Sequence, residues 1–365
     1  MTDLFDLLSR RIRATGPLTV AEFMTEALHH PRLGYYATRD PLGTAGDFIT
    51  APEVSQIFGE LIGLWCAEVW AQMGRPDPVL LVELGPGRGT LMADALRALA
   101  VAPDFRHALR VHLVETSPTL RAAQAKALAA AAPIWHERLD AVPAGPLLLI
   151  ANEFLDTLPI RQFERRDGGW HERCVGLTPD GSTLAFALEH ATSAAAVLIS
   201  PRFVASPEGG VVEICPAAAR LANDVSTRLT IDGGAALFID YGRIGSAYGE
   251  TLQAVRRHRY HPVLEAPGSA DLTAHVDFQA FTDAARAAGT RICGPVTQAD
   301  FLRSLGIELR AQRLVAAASA EVGATIRSGL RRLIDGDEMG TLFKVLALTD
   351  PTLPMPAGFP AGARP

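Results

Sequence analysis

The stretch VELGPGRGTL (82–91) sets Gly85, Gly87 and Gly89 behind an apolar run and ahead of a helical pattern, and this limits the fold more than any other feature of the chain. PVLLVEL (78–84) has the length and composition of a buried strand, and TLMADALRALA after it has helical spacing. The unit then recurs. LRVHLVE (109–115) leads into SPTLRAAQAKALAAAA, where Ser117 suits an N-cap and Pro118 the first turn of a helix. Short strands follow in PIWHE and GPLLLIANE, and GAALFIDYG (234–242) comes after the helix-like CPAAARLANDVSTRL. Strands alternating with helices in this way predict an α/β fold with a doubly wound, Rossmann-like sheet.

Around that core the pattern changes. MTDLFDLLSRRIRA places Leu4, Leu7, Leu8 and Ile12 on one face of a surface helix and lacks the apolar centre of a signal peptide. Residues 1–75 read as a helical cap or lid, 76–160 as the ligand-binding half of the core, and 161–210 as an insertion carrying a hairpin turned at Asp167-Gly168-Gly169. Residues 211–350 form the second half, with helical periodicity from Asp277 to Leu333 and a last strand in TLFKVLAL (341–348). The tail at 351–365 is rich in Pro, Gly and Ala and reads as disordered.

Composition excludes several classes. The formal net charge is −6, and the basic residues are nearly all Arg, scattered through the chain, which argues against nucleic-acid binding. Cys66, Cys174, Cys215 and Cys293 lie far apart with no CxxC pair, so no metal site or disulfide framework is expected and a reducing cytoplasm fits. No uncharged apolar stretch reaches the ~20 residues of a membrane span, since Glu68 interrupts LIGLWCAEVWAQM.

An open parallel sheet binds ligands beyond the carboxyl ends of its strands, where strand order reverses. Gly85, Gly87 and Gly89 let the backbone come close to a ligand there, with Pro86 among the residues expected to bind it, and the helix from Thr90 aims free N–H groups at an anionic group. Dinucleotide sites use GxGxxG, whereas this loop is GxGxG with the acidic Glu83 ahead of it. A pyrophosphate would not welcome that carboxylate. S-adenosylmethionine carries an amino group and a carboxylate at one end and satisfies both features. Glu115, closing the second strand, is placed for the ribose hydroxyls, and Asp140 after the third is either an adenine contact or a solvated acid.

At these residues the chain resembles the MidA-type methyltransferases, the family that includes the mitochondrial complex I assembly-factor arginine methyltransferase. The segments that carry the resemblance are LGYYATRDPLGTAGDFITAPEVSQIFGELIGLW, ELGPGRGTL, NEFLDTLPIRQF, FIDYG and ADLTAHVDF. It implies a class I methyltransferase fold, S-adenosylmethionine as methyl donor and transfer to an arginine nitrogen of a protein. The suspected acceptor is the 49-kDa-type subunit of respiratory complex I, with a role in its assembly. A methyltransferase acting on a small molecule or on another protein residue is the alternative, and a dinucleotide oxidoreductase or a non-catalytic binding module stands further off.

The remaining candidates lie on the acceptor side and over the donor. GDFITAPEVSQIFGELI (46–62) is either a cap on the sheet or a lid with Phe48, Thr50 and Gln56 facing the ligand. NEFLDTLP (152–159) starts where the fourth strand ends, with Asn152 beside the donor and Glu153 and Asp156 as acids able to clamp a guanidinium. The bland alternative is a helix start capped by Asn152. His275 is a proton acceptor after transfer, or else Asp271 or Thr273 merely begins a helix. Oligomeric state is not legible.

Overall fold

The computed structural model describes residues 3–38, 49–189 and 192–360. The chain divides into two compact units, each assembled from three separate stretches rather than from the sequential blocks expected. The larger consists of Ile49–Leu155, Arg220–Ile244 and Phe278–Pro365.

In the larger unit seven strands line up: β1 (Val79–Leu84), β2 (Leu109–Val114), β3 (Ile134–His136), β4 (Leu147–Asn152), β5 (Gly234–Arg243), β6 (Arg291–Thr297) and β7 (Phe343–Thr349). Their order across the sheet is β6-β7-β5-β4-β1-β2-β3, with β1 to β5 mutually parallel and β7 antiparallel to β5 and β6. Every residue of β1 and β4 is buried, which is why both read as unbroken apolar runs. Order reverses between β1 and β4, so the carboxyl ends of these two strands flank the crevice such sheets provide.

Helices α1 (Ala51–Val54), α2 (Gln56–Gln72), α3 (Thr90–Ala98) and α4 (Pro118–Ala127) belong to the same unit. A Cβ on Gly63 would lie 2.7 Å from the Ala95 Cα, and one on Gly59 2.7 Å from the Asp94 Cβ. The two glycines, one helical turn apart, let α2 meet α3 backbone to backbone. That contact holds the helix emerging from the glycine turn. Trp65, Phe58 and Ile62 of α2 are buried with Leu81 and Leu148 of the sheet, so α2 is a core helix rather than part of a separate cap spanning 1–75.

The region from Asp277 to Leu333 is not wholly helical, because β6 lies between the helices Phe278–Ala287 and Gln298–Ser304. RICGPVT hides its strand character in a Gly294-Pro295 break, where the register with β7 shifts between Cys293 and Val296. The tail is also packed as far as residue 360: Leu353 and Phe359 are buried, and the Trp65 indole donates to the Ala357 carbonyl at 3.1 Å. Its few large apolar residues anchor it despite its composition.

The smaller unit is Met1–Phe48, Asp156–Ala219 and Gly245–Asp277. The expected hairpin is present as strands Arg161–Arg166 and Gly169–Leu177, extended by Leu184–Leu188, Val211–Ile214 and Leu18–Thr19. The amphipathic N-terminal helix Leu4–Thr15 buries Leu4, Leu8 and Ile12 in this unit's core with Phe23, Val175 and Leu272.

Candidate active site

The glycine turn closes β1 as the sequence predicts, with φ of 61° at Gly85, 54° at Gly87 and 84° at Gly89. All three angles lie in the left-handed region that side chains strain to adopt. At Gly85 space is also closed, since a Cβ there would sit 2.8 Å from the Phe154 ring. Gly89 N–H donates to the Pro86 carbonyl at 2.8 Å, and Gly89 is the N-cap of α3 without a side chain to cover the helix's first N–H groups. Thr90 turns its hydroxyl to Glu53, donating to Oε1 at 2.6 Å.

Glu83 is 3% exposed, and its Oε2 has no hydrogen-bond partner among the described residues. Burial pushes its carboxyl up to about 8. Asn152, at the end of β4, likewise keeps a buried Oδ1 without a partner among those residues. Two unsatisfied buried acceptors on neighbouring strands, beside a turn of glycines at the switch point, fit a ligand that brings hydrogen-bond donors, and the amino group of S-adenosylmethionine is such a donor. The same chemistry ill suits a pyrophosphate, which has only acceptors to offer.

Glu115 follows β2 and is nearly buried. Its Oε1 accepts from Ser117 N–H at 2.8 Å and its Oε2 from the Gln124 amide at 3.2 Å. Burial raises its carboxyl above the ordinary value, against these hydrogen bonds, which act to lower it. Asp140 is exposed and ion-paired with Arg138 two residues away. Thr50 precedes α1 without capping it, and Gln56 is exposed at the start of α2. Phe48 lies outside the described residues.

At the end of β4 the structure departs from the helix-start alternative. Glu153 takes a left-handed φ of 50°, and only a short 3-10 turn, Leu155–Thr157, follows. Its Oε1 accepts from Ala51 N–H at 2.9 Å and from the Asn152 amide at 3.1 Å. Beneath it, the fully buried Asp240 accepts from the N–H groups of Phe154 at 3.1 Å and Leu155 at 2.8 Å. Sequence reasoning missed Asp240's part. It lies in FIDYG, one strand away, and only the register Ile239 to Asn152 brings it under the turn.

In the smaller unit, Asp156 is buried, and its carbonyl accepts from Ala274 N–H at 2.9 Å. Tyr36 donates to Asp271 at 2.9 Å, and burial, then Asp271 and Asp156, push its phenol well above the ordinary value. Tyr36 and Asp271 were not among the expected residues, being 235 positions apart. His275 is half-buried, its N–H donating to the Thr251 hydroxyl at 2.9 Å. Asp271–Thr273 is a strand, so neither Asp271 nor Thr273 begins a helix.

Comparison with known proteins agrees with this geometry. Residues 61–296 match the model of a family of S-adenosyl-L-methionine-dependent methyltransferases. The protein arginine methyltransferase NDUFAF7 of Danio rerio, named mitochondrial, is 39% identical over 93% of this chain and 85% of its own length. Its Homo sapiens counterpart is 37% identical over 95% of this chain and 83% of its own length. A methyl transferase candidate from Burkholderia thailandensis, crystallised with S-adenosyl-homocysteine, superposes with a TM-score of 0.84 at 29% identity, covering 99% of this chain and 95% of that one. The mitochondrial naming of the relatives overturns the cytoplasmic placement expected from cysteine usage. With well over half its residues inside the family model and relatives matched along most of their length, the chain belongs to the S-adenosyl-L-methionine-dependent methyltransferases.

Proposed function

We propose that the chain transfers a methyl group from S-adenosylmethionine to an arginine nitrogen of a protein. The observation that carries this reading is Glu153, an acid held at the end of β4 in a backbone conformation that side chains strain to adopt. Strain of about 1–3 kcal/mol persists where the surroundings over-determine it, often at a working site. The relatives' names support the choice of acceptor, since those described above are protein arginine methyltransferases.

The donor supplies an activated methyl on a sulfonium, so the reaction needs little acid or base chemistry. On this reading Glu83 and Asn152 receive the donor's amino group, the N–H groups opening α3 meet its carboxylate, and Glu115 takes the ribose hydroxyls. Asp140 comes near the adenine, and Thr50 and Gln56 stand over the ligand. Glu153 balances and orients the guanidinium, which loses a proton as the carbon–nitrogen bond forms. Alignment of nitrogen, methyl and sulfur does most of the work. We propose the 49-kDa-type subunit of respiratory complex I, or its bacterial equivalent, as the acceptor, with a role in assembling that complex. The test is intact-mass analysis of this subunit after incubation with the chain and donor. A gain of one or two methyl groups localised to arginine supports the reading. Donor turnover with methyl arriving only on another residue or on a small molecule overturns it.

A further inference from the structure

Gln124 is fully buried on α4, and its side chain reaches three groups at once. The amide nitrogen donates to the Gly87 carbonyl at 2.7 Å and to Glu115 Oε2 at 3.2 Å, while the amide oxygen accepts from the Trp135 indole at 2.8 Å. The orientation of the amide is over-determined. An indole only donates, whereas a carbonyl and a carboxylate only accept, so flipping the amide would set like against like at all three contacts. Both of the amide's N–H groups are thereby used, and they join the middle glycine of the turn to the acid that follows β2.

We propose that Gln124 is a positioning residue for donor binding: it ties the Gly87 carbonyl to the Glu115 carboxylate, so that the glycine turn and the acid meet the donor as one preorganised surface. This rests on the reading that Glu115 takes the ribose hydroxyls. The carboxylate has about four lone-pair positions. Ser117 N–H binds Oε1, the Gln124 amide binds Oε2 and the Thr116 backbone also hydrogen-bonds the carboxylate, so these donors fix the direction in which its remaining acceptor capacity points. Without Gln124 the carboxylate can rotate about its last torsion, which is broad for glutamate, and the pairing with a diol loses its geometry. Preorganisation of this kind acts on binding, because the ordering cost is met before the ligand arrives.

The test measures S-adenosylhomocysteine affinity by calorimetry for wild type, Gln124→Met, Glu115→Ala and the double variant, alongside the 2′-deoxy form of the same ligand. Gln124→Met is expected to weaken S-adenosylhomocysteine about tenfold, the factor that one lost charge-assisted hydrogen bond supplies. It should also shrink the preference over the 2′-deoxy ligand and have less than a twofold effect in the Glu115→Ala background. In turnover, the donor KM should rise while kcat holds. An equal loss with and without Glu115, or an unchanged preference for the 2′-hydroxyl, would make Gln124 a mere packing residue and overturn the proposal. Failure of the underlying reading looks different: Glu115→Ala alone would then leave affinity intact. Should Gln124→Met not fold, Trp135→Phe removes only the indole N–H that fixes the amide oxygen. It is expected to weaken binding about threefold, again only when Glu115 is present, and unchanged affinity would overturn the proposal.

Discussion

Two turns leave the carboxyl ends of β1 and β4, the strands that flank the switch in sheet order, and they solve the same problem in opposite ways. Both need left-handed backbone, at Gly85, Gly87 and Gly89 in one and at Glu153 in the other. The glycine turn meets the need with residues that have no side chain, which leaves its backbone open to a ligand. The Glu153 turn keeps a large charged residue there and ties it down. Ala51 and Asn152 donate to its carboxylate, and Asp240 accepts from the next two N–H groups. The first turn is built from residues without side chains, the second so that one carboxylate stays put.

If that contrast is right, filling the first turn is the more damaging change. Gly87→Val is expected to abolish donor binding in a folded protein, because a β-branched residue at a φ of 54° is strained and stands where a ligand approaches. Calorimetry with S-adenosylmethionine decides it, and undiminished affinity would break the comparison at its stronger end. Glu153→Gln keeps the size of the side chain and one acceptor for Ala51, but removes the charge. Donor affinity should persist while arginine methylation falls at least ~100-fold, as loss of a buried ion-pair partner costs several kcal/mol and loosens attack. Near-normal turnover in the same preparation would reduce Glu153 to a brace for α1.

Smaller effects sharpen the donor side. Glu115→Ala should weaken donor binding by roughly 1–3 kcal/mol with the fold intact, measured as a dissociation constant. A change under twofold would take Glu115 off the ribose. The smallest effect is a pH dependence from Glu83, whose carboxyl is raised from 4.5 to about 8. A raised acid binds its proton more tightly in the fold than in the unfolded chain. Its contribution to stability is therefore complete below pH 4.5 and is lost as pH climbs through 8. A bound ammonium favours the ionised form and relieves that loss. The melting-temperature gain from S-adenosylhomocysteine should thus grow between about pH 5.5 and 8.5 and flatten in Glu83→Gln. A gain with the same slope in wild type and variant would separate Glu83 from the ligand.

Much of the larger unit was legible in the sequence because its signals are local. A strand buried on both faces reads as an apolar run, glycines mark where a backbone must bend left-handed, and Ser117 followed by Pro118 marks a helix start. Each is a property of a few adjacent residues, so Glu83, Gly85, Gly87, Gly89 and Glu115 stand out in the sequence alone. β6 escaped because Gly294 and Pro295 broke its run, and the packed tail escaped because composition says nothing about where a single Phe359 or Leu353 finds a cavity to fill.

What the chain's own order of residues determined was the alternation of strands and helices, the acid–glycine turn and, through these, the donor. Tertiary structure alone decided which distant groups serve that turn and which do not. Asp240 reaches the N–H groups after Glu153 only through strand register, Gln124 bridges Gly87 and Glu115 only because α4 packs over the turn, and Tyr36 meets Asp271 across most of the chain's length. Hydrogen bonds act over about 3 Å in space and carry no trace in sequence separation. A local pattern therefore shows where a backbone turns, but the side chains that hold the turn in place are chosen by packing.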